Sequence, residues 1–150
     1  MAPGAVLSRS TLNREARSAV TRNSDRPLSP HLTVWRWGPG MLVSILHRVT
    51  GGALAVAGLA LLVWWLMAIA GGSAAYDDFA RHAGSWYGLI VLVGLTWAFF
   101  QHLLSGVRHL VMDTGAGFEL ETNKRWAVMT IVGALLLTAL LWATLLGVFK

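Results

Sequence analysis

At 150 residues, with a hydrophobic share of 55% against a charged share of 13% and a mean hydropathy of +0.58, the chain holds more apolar surface than a soluble domain of this size can hide. The absence of cysteine excludes disulfide scaffolds, thiolate metal sites, iron–sulfur clusters and cysteine nucleophiles, and leaves histidine as the one strong nitrogen ligand. The net charge of +5 does not point to nucleic acid: six of the twelve basic residues, Arg9, Arg14, Arg17, Arg22, Arg26 and Arg36, precede the first apolar run, as a topology signal does.

Residues 1–25 are rich in Ser, Ala and Arg, with Glu15 and Asp25 the acidic positions and no hydrophobic period, so a mobile tail is expected. The same composition matches a mitochondrial transit peptide, whereas a secretory signal is excluded by the missing apolar core; a bacterial cytoplasmic tail is the preferred reading. Residues 26–40 carry Pro27, Pro30 and Pro39, which interrupt a long helix, and Trp35 and Trp37, whose rings favour a membrane–water interface. This segment is predicted to lie along the bilayer surface.

The transmembrane domain, 41–150, follows, with spans at about 41–70, 86–112 and 126–149, each longer than the roughly 20 residues that cross a hydrocarbon core of about 30 Å. Trp86 and Trp126 mark the starts of the second and third. The segment between the first two holds Asp77, Asp78, Arg81 and His82, and the one between the last two holds Lys124 and Arg125. With the Arg-rich tail inside, the positive-inside rule places the N-terminus in and the C-terminus out. The expected fold is all-α, an integral membrane protein with three transmembrane helices.

Polar residues at membrane depth are costly and default to function. The first span contributes Ser44, His47, Arg48 and Thr50 near its inner end, and the second contributes Gln101, His102, Ser105, Arg108 and His109 near its own inner end. Opposite helix directions put the two groups in the same leaflet. Ser44, His47 and Arg48 share one face, continued by Gly51 and Gly52; His102, Ser105, Gly106 and His109 share another. A ring able to ligate, followed by small residues, suits a flat cofactor that the backbone must approach. At about 1.5 Å per residue His102 lies roughly 9 Å deeper than Arg108, beyond the reach of the interface, while Arg108 can snorkel to it. Plainer readings stand beside these: histidines that tie helices together, arginines that anchor at the interface, and a serine bonded back to its own helix. His31 and His82, in polar segments, are expected to be solvated or structural.

The run from Arg26-Pro27-Leu28 through Ser44-Ile-Leu-His47-Arg48-Val-Thr50-Gly51, followed by His102-x-x-x-Gly106-Val-Arg108-His109-Leu-x-Met-Asp113, resembles the cytochrome b556 family of succinate dehydrogenase membrane anchors, over residues 26 to 150. The resemblance implies a subunit of respiratory complex II that joins a second anchor in a heteromeric helix bundle. It implies that His102 is an axial ligand of haem b, the other axial histidine coming from the second anchor. It implies that Ser44 and Arg48 line a ubiquinone site, that His47 and Arg108 lie near the haem propionates, and that His109 and Asp113 stand at the inner rim. An iron–sulfur subunit and a flavoprotein subunit are the implied partners besides the bilayer, and the bacterial inner membrane is the expected location. Lacking a flavin fold or a dicarboxylate-binding domain, the chain is expected to have no activity alone. Two rivals are the anchor of a quinol:fumarate reductase and a small non-redox membrane subunit whose histidines only tie helices.

Overall fold

The computed structural model describes residues 36–147, together with positions 9, 10, 13 and 31. The chain divides into two units, Met1–Arg36 and Trp37–Lys150. The tail expected over 1–25 and the interfacial segment expected from residue 26 therefore lie almost wholly outside the described residues.

Within the second unit, helix α1 spans Pro39–Ala70, α2 Ser73–Ala83, α3 Trp86–Asp113 and α4 Leu120–Leu145. Helices α1, α3 and α4 are each long and apolar enough to cross a membrane. The outward-facing leucines, valines and isoleucines that cover them are the surface a bilayer solvates.

Four boundaries depart from those expected, each for a local reason; the last helix stops at Leu145 rather than 149, where the chain turns through Gly147 at φ 74°. Helix α1 starts at Pro39, so Pro39 and Gly40 belong to the span rather than to the interfacial segment; proline at the first helical position sacrifices no hydrogen bond. Residues 73–83, where a loop is expected, form α2. Its polar side chains satisfy one another along the helix, with Arg81 Nη2 at 2.5 Å from Asp78 Oδ1. Helix α4 begins at Leu120 instead of 126, since the turn containing Glu121 and Lys124 is held by their 2.9 Å ion pair and needs no apolar side chain. Lys124 and Arg125 are thus in the first turns of a helix.

Leu54–Gly58 is a π-helical turn inside α1, with Leu59 N–H bonded to Leu54 O five residues back. Before this turn α1 packs on both α3 and α4; after it, the half running from Leu59 to Ala70 packs on α2 and leaves the α3 surface. The extra residue turns the two halves of α1 toward different neighbours. At the far corner Ser85 caps α3 by accepting from Gly88 N–H at 3.1 Å. A Cβ on Gly88 would stand 2.1 Å from His82 O, so the α2–α3 corner closes only over glycine.

Where the helices meet, side chains are small or polar: Val43, Ala98, Ala127, Ala134, Thr50, Ser105, Thr130 and Thr138 are buried. Small residues let membrane helices approach where no water drives them together. The buried hydroxyls are satisfied within their own helices, as Thr130 by Ala127 O at 2.8 Å and Thr138 by Ala134 O at 2.7 Å.

Candidate functional site

The first half of α1 and the last half of α3 face each other through their polar residues. The imidazoles of His47 and His102 stack with centroids 4.0 Å apart and planes 9° from parallel. His109 meets His47 edge-on at 5.2 Å. The structure thus brings three of the histidines singled out by the sequence into one cluster.

Hydrogen bonds define the state of each ring. His102 Nδ1 lies 3.1 Å from the carbonyl oxygen of His47 and 3.5 Å from Thr50 Oγ1. The Thr50 hydroxyl donates to Leu46 O at 2.7 Å, so both neighbours of His102 Nδ1 are acceptors. Nδ1 therefore carries the proton and Nε2 keeps its lone pair. The same logic holds for His47: its Nδ1 donates to Ser105 Oγ at 2.7 Å, because the Ser105 hydroxyl donates to Gln101 O at 2.7 Å. A histidine whose Nδ1–H is tied to a carbonyl and whose Nε2 is free is prepared as a metal ligand.

The glycines expected to receive a flat cofactor receive imidazoles instead. A Cβ on Gly51 would stand 2.8 Å from His102 Cε1, and one on Gly106 would stand 3.7 Å from His47 Cε1. Each helix supplies a ring, and the other supplies the gap for it. No group of three or more His, Cys, Asp or Glu side chains able to hold a bare metal ion occurs among the described residues. The donor set fits one axial position of a metal already bound in a macrocycle.

Ser44 is half-buried and Arg48 exposed on α1, and neither has a hydrogen-bond partner among the described residues. A hydroxyl and a guanidinium are thus uncommitted near the imidazole cluster. Asp113 is exposed at the end of α3. His82, at the other end of α3, has Nδ1 2.6 Å from Tyr87 Oη and belongs to the α2–α3 corner.

Arg108 is held between α3 and α4. It is 7% exposed, and its Nη2 donates to Asn123 Oδ1 of α4 at 2.7 Å. One turn apart from one another, Gln101, Ser105 and Arg108 form the buried seam of α3, which the pattern of polar residues alone does not separate from the His102–His109 edge. Asn123 is the residue that sequence reasoning misses. Its signal is present, an amide one helical turn before Trp126, but it lies outside a span begun at the tryptophan. Gln101 is wholly buried with both amide atoms unpaired.

Residues 22–141 match the family described as succinate dehydrogenase/fumarate reductase transmembrane subunit. The chain belongs to that family. A succinate dehydrogenase cytochrome b556 subunit of Paracoccus denitrificans is 41% identical over 122 residues, 81% of this chain and 93% of the relative. One from Rickettsia conorii is 40% identical over 118 residues, 78% of this chain and 90% of the relative. A cytochrome b560 subunit from Reclinomonas americana is 33% identical over 132 residues, 84% and 90% of the two chains. With nearly the full length of these relatives spanned, the chain is a multi-pass membrane anchor subunit of the succinate dehydrogenase complex. The non-redox alternative falls with this membership.

Proposed function

We propose that this subunit supplies one axial ligand, His102 Nε2, to a haem b shared with a second anchor subunit, and that Ser44 and Arg48 bind the head of a ubiquinone. The observation that carries the proposal is the tautomer of His102: its proton is committed to the His47 carbonyl, which leaves Nε2 as a donor at membrane depth. His47 and His102 cannot be the two ligands on opposite sides of one iron, because they are stacked face to face. The second ligand would come from the partner anchor, as the family resemblance implies.

The bound haem would supply one-electron storage beside the quinone. Residues of this chain do the rest. Ser44 and Arg48 donate to a quinone carbonyl, and the guanidinium stabilises the negative charge that develops there as electrons arrive. His47 and His109 stand at the rim, where imidazole N–H groups can meet carboxylates. Arg108 serves that rim by joining the end of α3 to α4 through Asn123. With the Arg-rich segment inside, the cluster faces the cytoplasmic leaflet of a bacterial inner membrane, where an iron–sulfur subunit and a flavoprotein subunit would deliver electrons from succinate. The named relatives are succinate dehydrogenases, which favours quinone reduction over the reverse direction of a fumarate reductase.

The test is the dithionite-reduced spectrum of the purified complex. His102→Leu is expected to abolish or shift the b-type bands, and His82→Leu to leave them unchanged. Equal effects of the two substitutions would refute the ligand assignment.

A further inference from the structure

A buried guanidinium in a membrane protein needs an anion, and among the described residues Arg108 meets none. It is 7% exposed, its one side-chain hydrogen bond goes to the neutral Asn123, and its Nε is buried without a partner. The ion pairs among the described residues are those of Arg81 and His82 with Asp78 and of Lys124 with Glu121, so no carboxylate among them serves Arg108. Such a charge is expensive to leave uncompensated at this depth.

Arg108 also lines a groove of about 240 Å³ between α3 and α4. Its other walls include Leu104, Val107, Val111, Trp126 and Met129, which are apolar. Val107, Val111 and Met129 are exposed, so the groove opens to the outside of the helix pair rather than toward the α1–α3 imidazoles. Trp126 is among the lining residues, and Lys124 and Arg125 lie in the adjoining turn of α4. A fixed cation at the head of an apolar trough, with an interfacial tryptophan and further cations nearby, has the chemistry of a site for an anionic amphiphile.

We propose that Arg108 binds the phosphate of an anionic phospholipid whose acyl chain lies along the α3–α4 groove. The phosphate supplies the guanidinium with an anion, and the acyl chain fills a trough that two helices alone leave open. Its place at the end of the bundle that carries His47 and His109 puts it in the leaflet where anionic lipids attract juxtamembrane cations. On the topology proposed above, that is the cytoplasmic leaflet.

The test uses the whole purified complex. Native mass spectrometry after washing in neutral detergent reads retained phospholipid, and the reduced haem spectrum of the same sample reports the integrity of the imidazole site. The wild-type complex is expected to retain phosphatidylglycerol and to exchange phosphatidylcholine freely. Met129→Trp, which fills the groove without touching Arg108 or the histidines, is expected to lose the retained lipid with the haem spectrum unchanged. Arg108→Gln is expected to lose it too, and Arg108→Lys to keep part of it. Thermal stabilisation by phosphatidylglycerol, absent with phosphatidylcholine and with inorganic phosphate, would support a lipid site. Equal stabilisation by inorganic phosphate would overturn it in favour of a simple anion site. Undiminished phosphatidylglycerol in Met129→Trp and Arg108→Gln would overturn it outright, whatever the haem spectrum shows.

Discussion

Replacing Gly51 by alanine tests whether the imidazole of His102 is held by close packing of α1 against α3. An ideal Cβ at Gly51 lies 2.8 Å from His102 Cε1 and 3.2 Å from Nδ1, whereas ordinary contact begins at 3.4 Å. The ring must retreat by roughly 0.6 Å, the difference between the first and last of those distances, or α1 must move away from α3. Either movement lengthens the 3.1 Å bond from His102 Nδ1 to His47 O, and its loss costs about 0.5–1.5 kcal/mol with a further 1–3 kcal/mol of overpacking. Gly52→Ala is the matched control, since a Cβ there meets nothing within 4 Å. Both substitutions gain about 1 kcal/mol of helix propensity, so only the contact with His102 separates them. The assay is the optical and EPR spectrum of the haem, with haem-to-flavin ratio, in the purified complex. Gly51→Ala should shift the spectrum or lower the ratio, and Gly52→Ala should not. Identical spectra for the two variants and wild type would refute the packing argument.

Ser44→Ala and Arg48→Leu should each lower quinone reduction by roughly ten- to a hundredfold while succinate oxidation by an artificial acceptor persists; joint loss of both activities would point to failed assembly instead. Asn123→Ala removes the side chain that binds Arg108 Nη2 at 2.7 Å, and should lower the unfolding temperature of the complex by the equivalent of about 1.5–3 kcal/mol. Ser105→Ala removes the acceptor of His47 Nδ1–H and should cost less, about 0.6 kcal/mol, because a neutral pair between membrane helices contributes little. A reversed order of these two in thermal unfolding would show that Arg108 finds another partner in the complex.

The helices were legible in the sequence because their apolar runs exceed what a bilayer requires, and the meeting of His47 with His102 was legible because opposite helix directions place both near one end. Which edge of α3 each polar residue occupies was less so. Gln101, His102, Ser105, Arg108 and His109 fall within nine residues, and a spacing of three or four links Ser105 to each of the other four. The packing of α1 and α4 together decides it: Ser105 is covered by His47 of α1 and Arg108 by Asn123 of α4, while His102 and His109 stay at the α1 edge, half-buried. The start of α4 was hidden for a different reason: Glu119 to Arg125 is polar, and polarity next to a membrane span reads as loop even where helix-forming residues and the Glu121–Lys124 pair support a helix. The π-helical turn at Leu54–Gly58 has no clear sequence signal beyond its small residues, and it shows only in the change of neighbours between the two halves of α1.

That turn bears on why one chain is insufficient. In its most apolar 18-residue stretch α1 is 6% buried, against 17% for α3 and for α4, and beyond Gly58 it leaves the surface of α3 altogether. Cavities of about 270 and 350 Å³, both touching Leu61 and Leu92, open between the departing half of α1 and α3. On the haem reading proposed above, the polar end is incomplete as well, since no second nitrogen donor stands opposite His102 among the described residues. A second anchor packed beside α1 would fill the apolar opening and, on that reading, supply the nitrogen, whereas lipid could do only the first.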